Sequence, residues 1–300
     1  MTVQLTPISS KAKLPTAINS LNTVIRQLAA NASTQVVNQG GGKALVSGKL
    51  SNGRYGEVFY DSNGVARILV GQDSSGEPVV ALSGDNTSIL DSNGLLRIGK
   101  LANARYGELL YDANGNPRMV FGQDTNGDPM FALSSGNNSV LSNPKMKIGK
   151  LNSTRYGQLF YDSSNVARLL VGEDSNGDPM FALSSGSNSV LSNTKVKIGK
   201  LNSTRYGQVF YDSSNIARLL IGEDSSGNPT IALSSGSNSV LTAGNERFKI
   251  CNVGSNRYAQ IITDANNVPR IYIGQNPSNG KPIVAISRDG VNVVTALGGS

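Results

Sequence analysis

Histidine and tryptophan are absent from this 300-residue chain, and cysteine occurs once, at Cys251. Without histidine there is neither the commonest general base nor the commonest metal ligand, and every Ser-His-Asp or Cys-His arrangement is excluded. A single thiol excludes an intrachain disulfide and suits assembly in a reducing cytosol. With no histidine or second cysteine to act with, Cys251 reads as a small buried hydrophobe. No apolar run approaches the ~18 residues of a membrane span, and no basic-then-apolar leader opens the chain. The expectation is a protein without membrane insertion that does not follow the usual secretory route.

Acidic residues are also missing from one region. Residues 1–56 hold six basic residues (Lys11, Lys13, Arg26, Lys43, Lys49 and Arg54) and no aspartate or glutamate. The remainder carries 21 basic against 20 acidic residues, so the net charge of +7 belongs to the N-terminal segment. That segment is either basic by the accident of being short or a docking segment for an acidic partner surface.

What the chain has in abundance is repetition. From Lys150 to Leu191 there are 42 positions, and 35 of them recur unchanged fifty residues on. The dipeptide Arg-Tyr starts at Arg54, Arg105, Arg155, Arg205 and Arg257. Seven residues after each arginine comes an aspartate (Asp61, Asp112, Asp162, Asp212, Asp264), and six further a second arginine (Arg67, Arg118, Arg168, Arg218, Arg270). A glycine and a proline follow in every copy. Five tandem copies of about 50 residues result, the fifth the most divergent.

Each copy reads as antiparallel β. In the first, RYGEVFYD alternates, with Val58 and Tyr60 on one face and Tyr55, Glu57 and Phe59 on the other. SNG is a tight turn, VARILVG a second strand, DSSGEP another turn and VVALS a third strand. Pro78 cannot donate to a ladder and belongs at a strand boundary. TSIL and LLRIGKL read as fourth and fifth strands. Both faces carry apolar residues, and a unit this small is marginal alone, so it is expected to bury surface against neighbouring copies, other chains, or both.

Ahead of the copies, Leu14, Ile18, Leu21, Ile25, Leu28 and Ala32 fall at steps of 4, 3, 4, 3 and 4, the spacing of a heptad seam. A short helix is predicted there, facing a partner because an isolated helix of this length is marginal. QGGGK after it reads as a flexible joint.

Little in the sequence points to chemistry. DTNGD at Asp124 and DSNGD at Asp174 resemble the opening of a calcium loop but lack the late bidentate acid, so plain turns are preferred. The recurrent Asp and Arg read as cross-strand ion pairs, because an active site normally breaks symmetry. The aromatics sit inside strands and the copies are charge-balanced, which argues against nucleic-acid binding. No catalytic, cofactor or metal residue is assigned, and no enzyme activity is expected. A sugar-cleaving enzyme would need an acidic pair in a long insertion, and none is present.

In the fifth copy, DANNVPRIYIG followed by PIVAISRDGVNVVTAL resembles the D-x-x-G-x-P-R-x-x-I-G and I-x-I-S-x-x-G-x-x-V phrasing of tail fibres and related tail proteins of tailed bacteriophages. YDANGNPRMVFG at Tyr111 matches it next best, and copies one, three and four carry Ala in place of Pro before the arginine. Asn267 stands where the pattern has glycine. The resemblance covers residues 46–300. It implies a mainly β, elongated, trimeric virion fibre preceded by a short N-terminal helix, assembled in the host cytoplasm and exposed on the particle. The expected organisation is an attachment segment with its Gly linker at 1–45, a stalk of four copies at 46–245 and a distal tip at 246–300. The anchor is expected to use Ile18, Leu21, Ile25 and Leu28 with Lys11, Lys13 and Arg26, against a tail, baseplate or adaptor protein. A host-surface receptor, a glycan among the candidates, would meet Asn276, Ser278, Asn279, Lys281, Arg288, Asp289 and Asn292. The alternatives are a capsid-anchored head fibre or decoration protein, and a five-bladed β-propeller binding module.

Overall fold

The computed structural model describes residues 18–26, 34–50, 53–84, 88–90, 94–101, 105–136, 139–187, 189–202, 204–242, 244–289 and 293–297. It is mainly β: 22 antiparallel strands and one short helix, α1, at residues 18–26. Met1–Pro144 and Lys145–Ser300 are two compact units.

In the first unit the strands are β1 (Thr34–Gln39), β2 (Gly42–Lys49), β3 (Tyr55–Tyr60), β4 (Ala66–Gln72), β5 (Pro78–Leu82), β6 (Leu96–Lys100), β7 (Tyr106–Tyr111), β8 (Pro117–Gln123) and β9 (Pro129–Leu133). In the second they are β10 (Met146–Lys150), β11 (Tyr156–Tyr161), β12 (Ala167–Glu173), β13 (Pro179–Leu183), β14 (Val196–Lys200), β15 (Tyr206–Tyr211), β16 (Ala217–Glu223), β17 (Pro229–Ser234), β18 (Glu246–Asn252), β19 (Tyr258–Thr263), β20 (Pro269–Gln275), β21 (Pro282–Ser287) and β22 (Val293–Leu297). Within each unit every strand pairs with the next in the chain, a pure meander.

Copies one to four therefore supply four strands each, and within each unit the last strand of one copy pairs with the first of the next, as β5 with β6 and β13 with β14. Separate propeller blades would not be joined by such a ladder. The prolines sit at the first residue of β5, β9, β13, β17 and β21, where a missing N–H disturbs least.

Two expectations are corrected. TSIL is not a strand. Ser88–Leu90 is a turn, and it drops Ile89 onto one face of the sheet. Val140, Val190 and Val240 do the same in copies two to four, each 1% exposed. Their amides donate to the carbonyls of Ala66, Pro117, Ala167 and Ala217 at 2.8–2.9 Å. This explains why Ala and Pro interchange before the arginine: the position supplies a carbonyl, which either residue has. Burying such a side chain contributes about 1.5–3 kcal/mol. The second correction concerns QGGGK. Gly40 and Gly41, at φ +60° and +89°, form the tight turn of the β1–β2 hairpin, not a loose joint.

The plugged face holds the core. In copy three it comprises Leu159, Ala167, Leu170, Met180, Ala182 and Val190, with Leu151, Tyr161 and Leu191 packed around them. Equivalent clusters occur in copies one, two and four. In copy five the buried apolar residues among those described are Cys251 and Ala259. The Arg-Tyr arginine clamps the plug: Arg155 Nη1 donates to the Leu191 carbonyl at 3.3 Å, and Arg205 Nη1 to that of Leu241 at 3.0 Å.

Beside the core runs a row of glycines in register, Gly149, Gly157 and Gly172 in copy three. A Cβ on Gly172 would lie 2.3 Å from the Tyr156 carbonyl oxygen and 2.6 Å from the Gly157 Cα. Gly172→Val is expected to destabilise the fold by about 2 kcal/mol or more, because backbone must shift to admit it. Gly115→Asn should change stability by less than about 1 kcal/mol, since asparagine tolerates positive φ and Asn165 already holds the matching place at φ +62°. Thermal melts of the two variants check the contrast.

Candidate functional site: an uncovered sheet face and the loops of copy five

Among the described residues, the alternation that buries one face leaves the other uncovered. In copy three, Met146, Phe160, Leu169 and Leu183 form one cross-strand row on that face, and Ile148, Gln158, Val171 and Phe181 form the next. Both rows recur along each unit with apolar residues at nearly every position. Their members range from half-buried, as Met146, Leu169 and Phe181, to exposed, as Phe160 at 36%, Val171 at 42%, Ile221 at 40% and Ile273 at 43%. A shallow apolar depression of about 710 Å³ lies between Tyr156, Val171, Phe181 and Ile198. The sequence showed two semi-apolar faces. It did not show which one the chain covers itself, because that depends on the plug.

The recurrent Asp and Arg form a structural unit at each β-hairpin turn. Asp162 Oδ1 accepts from the Val166 amide at 2.9 Å, and its Oδ2 accepts from Arg168 Nε at 2.7 Å. Asp61 with Arg67, Asp112 with Arg118, Asp212 with Arg218 and Asp264 with Arg270 repeat the arrangement. The turn closes through Asn165, Asn215 and Asn267 at φ near +60°, where copies one and two use Gly64 and Gly115. Asn267 thus does what the glycine of the resemblance pattern does.

The second turns, including DTNGD and DSNGD, use their leading aspartate in the same way. Asp174 Oδ1 accepts from the amides of Asn176 and Asp178 at 2.9 and 3.2 Å. Its Oδ2 meets Lys197 at 3.4 Å, while Lys200 reaches Asp178 at 3.0 Å. Arg97 with Asp73 and Lys100 with Glu77 repeat these ties between copies one and two. At the junction into copy five, Asn252 and Asn228 face each other at 3.5 Å instead.

Backbone hydrogen bonds hold the first-turn carboxyls below the usual range, with the arginine adding to them. Asp112 is lowered to about 2, chiefly by the Asn116 amide. At Asp73, Asp174 and Asp224 burial pushes upward, but the turn amides outweigh it and the net shift is down.

The expected anchor residues Ile18, Leu21 and Ile25 lie on α1, 48–54% exposed. Arg26 is exposed beside them, and Lys11, Lys13 and Leu28 lie outside the described residues. The expected tip residues separate into two groups. Asn276, Ser278, Asn279 and Lys281 share the β20–β21 turn, where Asn276 Oδ1 accepts from the Ser278 amide and Asn279 Oδ1 from the Lys281 amide. Arg257 donates there to the Pro277 carbonyl. Arg288 and Asp289 lie beyond the other end of β21, where Arg270 donates to the Arg288 carbonyl. Consecutive turns of a meander alternate between its two edges, so a six-residue strand, about 20 Å long, separates the groups. Asn292 lies outside the described residues.

Among the described residues no group of three or more His, Cys, Asp or Glu is placed to hold a metal ion, and no helix is long and apolar enough to cross a membrane. No protein-family model matches the sequence, and no curated protein matches it.

The turn aspartates generate a pH dependence. A carboxyl whose folded pKa is depressed contributes stability above its unfolded pKa and loses it as pH falls through the folded value. The thermal midpoint is expected to hold from pH 7 to about pH 4 and to drop between there and about pH 2, the lowered value at Asp112. Melts followed by circular dichroism across this range check it. A midpoint that rises on acidification contradicts it.

Proposed function

We propose that the chain is a structural fibre protein of a tailed-phage virion, a parallel homotrimer that mediates attachment to the host cell. The observation that carries this reading is the apolar sheet face left uncovered in successive copies. A chain folding alone would expose it to water, whereas three chains packed around a common axis cover it and shield strand edges from wrong partners. In this reading the first four copies are the stalk, copy five is the distal end, and residues 1–45 with the exposed side of α1 hold the particle. The phrasing of copy five, which resembles phage tail-fibre sequences, supports the same assignment. No side-chain constellation described above favours catalysis. Strand pairing across copy boundaries favours a continuous stalk over separate blades.

Native mass spectrometry of the full chain is expected to give a trimer, and a stable monomer overturns the reading. Deleting residues 1–45 is expected to leave the strands folded by circular dichroism while abolishing incorporation into virions. Immunogold labelling of intact particles then distinguishes tail from capsid attachment.

The receptor end is tested separately. Alanine at Asn279, Lys281 and Arg288 together is expected to abolish adsorption to cells with little change in melting temperature, since these are exposed loop side chains. Unchanged adsorption, or loss of stability and adsorption together, places the receptor contact elsewhere.

A further inference from the structure

One position in the uncovered apolar face is polar in every copy. It is Glu57, Glu108, Gln158, Gln208 and Gln260, on β3, β7, β11, β15 and β19. Each projects from the same face as the large apolar residue two places on, Phe160 in the case of Gln158. Its cross-strand neighbours are apolar in four copies. Gln158 stands between Ile148 and Val171, Gln208 between Ile198 and Ile221, Gln260 between Ile250 and Ile273, and Glu108 between Ile98 and Phe121. Glu57 stands between Ser47 and Val70, and the Ser47 hydroxyl donates to Glu57 Oε1 at 3.3 Å. An amide or carboxylate in this setting weakens any purely apolar contact, so its recurrence once every four strands calls for a cause.

We propose that this face packs against the same face of further copies of the chain, and that the polar rung sets their axial register. The inference rests on the trimeric-fibre reading and specifies its interface. A second copy is the occupant for two reasons. The first is complementarity. A partner must offer polar groups at the same four-strand interval within an apolar surface, and this face of a second copy does so. A glutamine side chain both donates and accepts, so glutamine can satisfy glutamine at its own level. The second is size. With ~4.8 Å between strands and ~7 Å between same-face neighbours, the two rows of the second unit cover roughly 800 Å². That equals what each partner contributes to a stable interface of standard size, about 800 Å². It also exceeds the largest apolar patch of a typical monomer, about 300–600 Å².

The rung excludes wrong alignments. A slip of one, two or three strands sets Gln158 or Gln208 against valine, isoleucine or phenylalanine and buries an unpaired amide. A slip of four strands realigns the rungs but uncovers a whole copy of apolar face at each end. A single polar residue in a coiled-coil seam fixes register by the same penalty. Where the rung is Glu57 or Glu108, like charges meet at one level, so copies one and two hold together more weakly than copies three to five.

Disulfide trapping on the full chain tests this, in a Cys251→Ser background. Val171→Cys places a thiol in the face beside Gln158. Ile198→Cys places one two strands away, roughly 10 Å off and beyond disulfide reach of about 7 Å. Chains bearing Val171→Cys are expected to cross-link to one another on oxidation, and mixed oligomers of the two variants to give little 171–198 product. With Gln158→Ile, Gln208→Ile and Gln260→Ile together, the oligomer should persist by native mass while 171–198 product rises several-fold. A monomer in every sample overturns the fibre reading and this inference with it. An oligomer that never forms the 171–171 link leaves the fibre reading standing and overturns the face. Links that form but are unaffected by the triple substitution overturn the register role alone.

Discussion

A β-strand has two faces, and a copy of about 50 residues has material to cover one of them. The rest of the structure follows from that constraint. The chain folds back a single turn per copy, tipped by Ile89, Val140, Val190 or Val240, and this turn closes one face over a small core. Among the described residues none covers the other face, yet its residues are no less apolar. Leu133, Leu183 and Leu233 stand on the uncovered side, while their neighbours Ala132, Ala182 and Ala232 are the buried ones. On these strands the larger side chain is the one left outside.

The charged residues serve the turns that keep the strands in step. One carboxylate oxygen of each hairpin aspartate holds turn amides while the other holds the arginine of the following strand. Solvent-screened ion pairs of this kind add little to stability. Their importance lies in geometry, because a one-residue slip would exchange the plugged and uncovered faces. The bulge that follows Phe59, Leu110, Phe160, Phe210 and Ile262 is fixed by the same turn.

Much of this was legible in the sequence. The Asp-to-Arg spacing read as a hairpin ion pair, the prolines read as strand boundaries, and the alternation of Val58 against Phe59 read as two faces; all three describe what the strands do. TSIL was misread because a short apolar run gives no period to distinguish a strand from a plug. QGGGK was misread because two successive glycines suit a tight turn with positive φ as well as they suit a loose linker. The expected tip residues are close in the chain, but chain distance does not say which edge of the sheet a loop occupies. Only the meander shows that β21 lies between Lys281 and Arg288. The rung was visible as a Glu or Gln two places after each Arg-Tyr tyrosine. It acquires meaning only once strand register shows that Ile148 and Val171 flank Gln158.

The pairing of one copy's last strand with the next copy's first bears on inheritance. Lys197 lies opposite Ala182 as Lys249 lies opposite Ala232 and Arg97 opposite Ala81, so these three seams between copies share this pairing. A genetic exchange that removes or inserts fifty residues between matching points of two copies therefore rejoins a strand to a partner it already fits. The new chain has the same turns, the same ladder and the same alternation. Unequal crossing-over between near-identical copies can change their number in one event, without an intermediate generation that fails to fold.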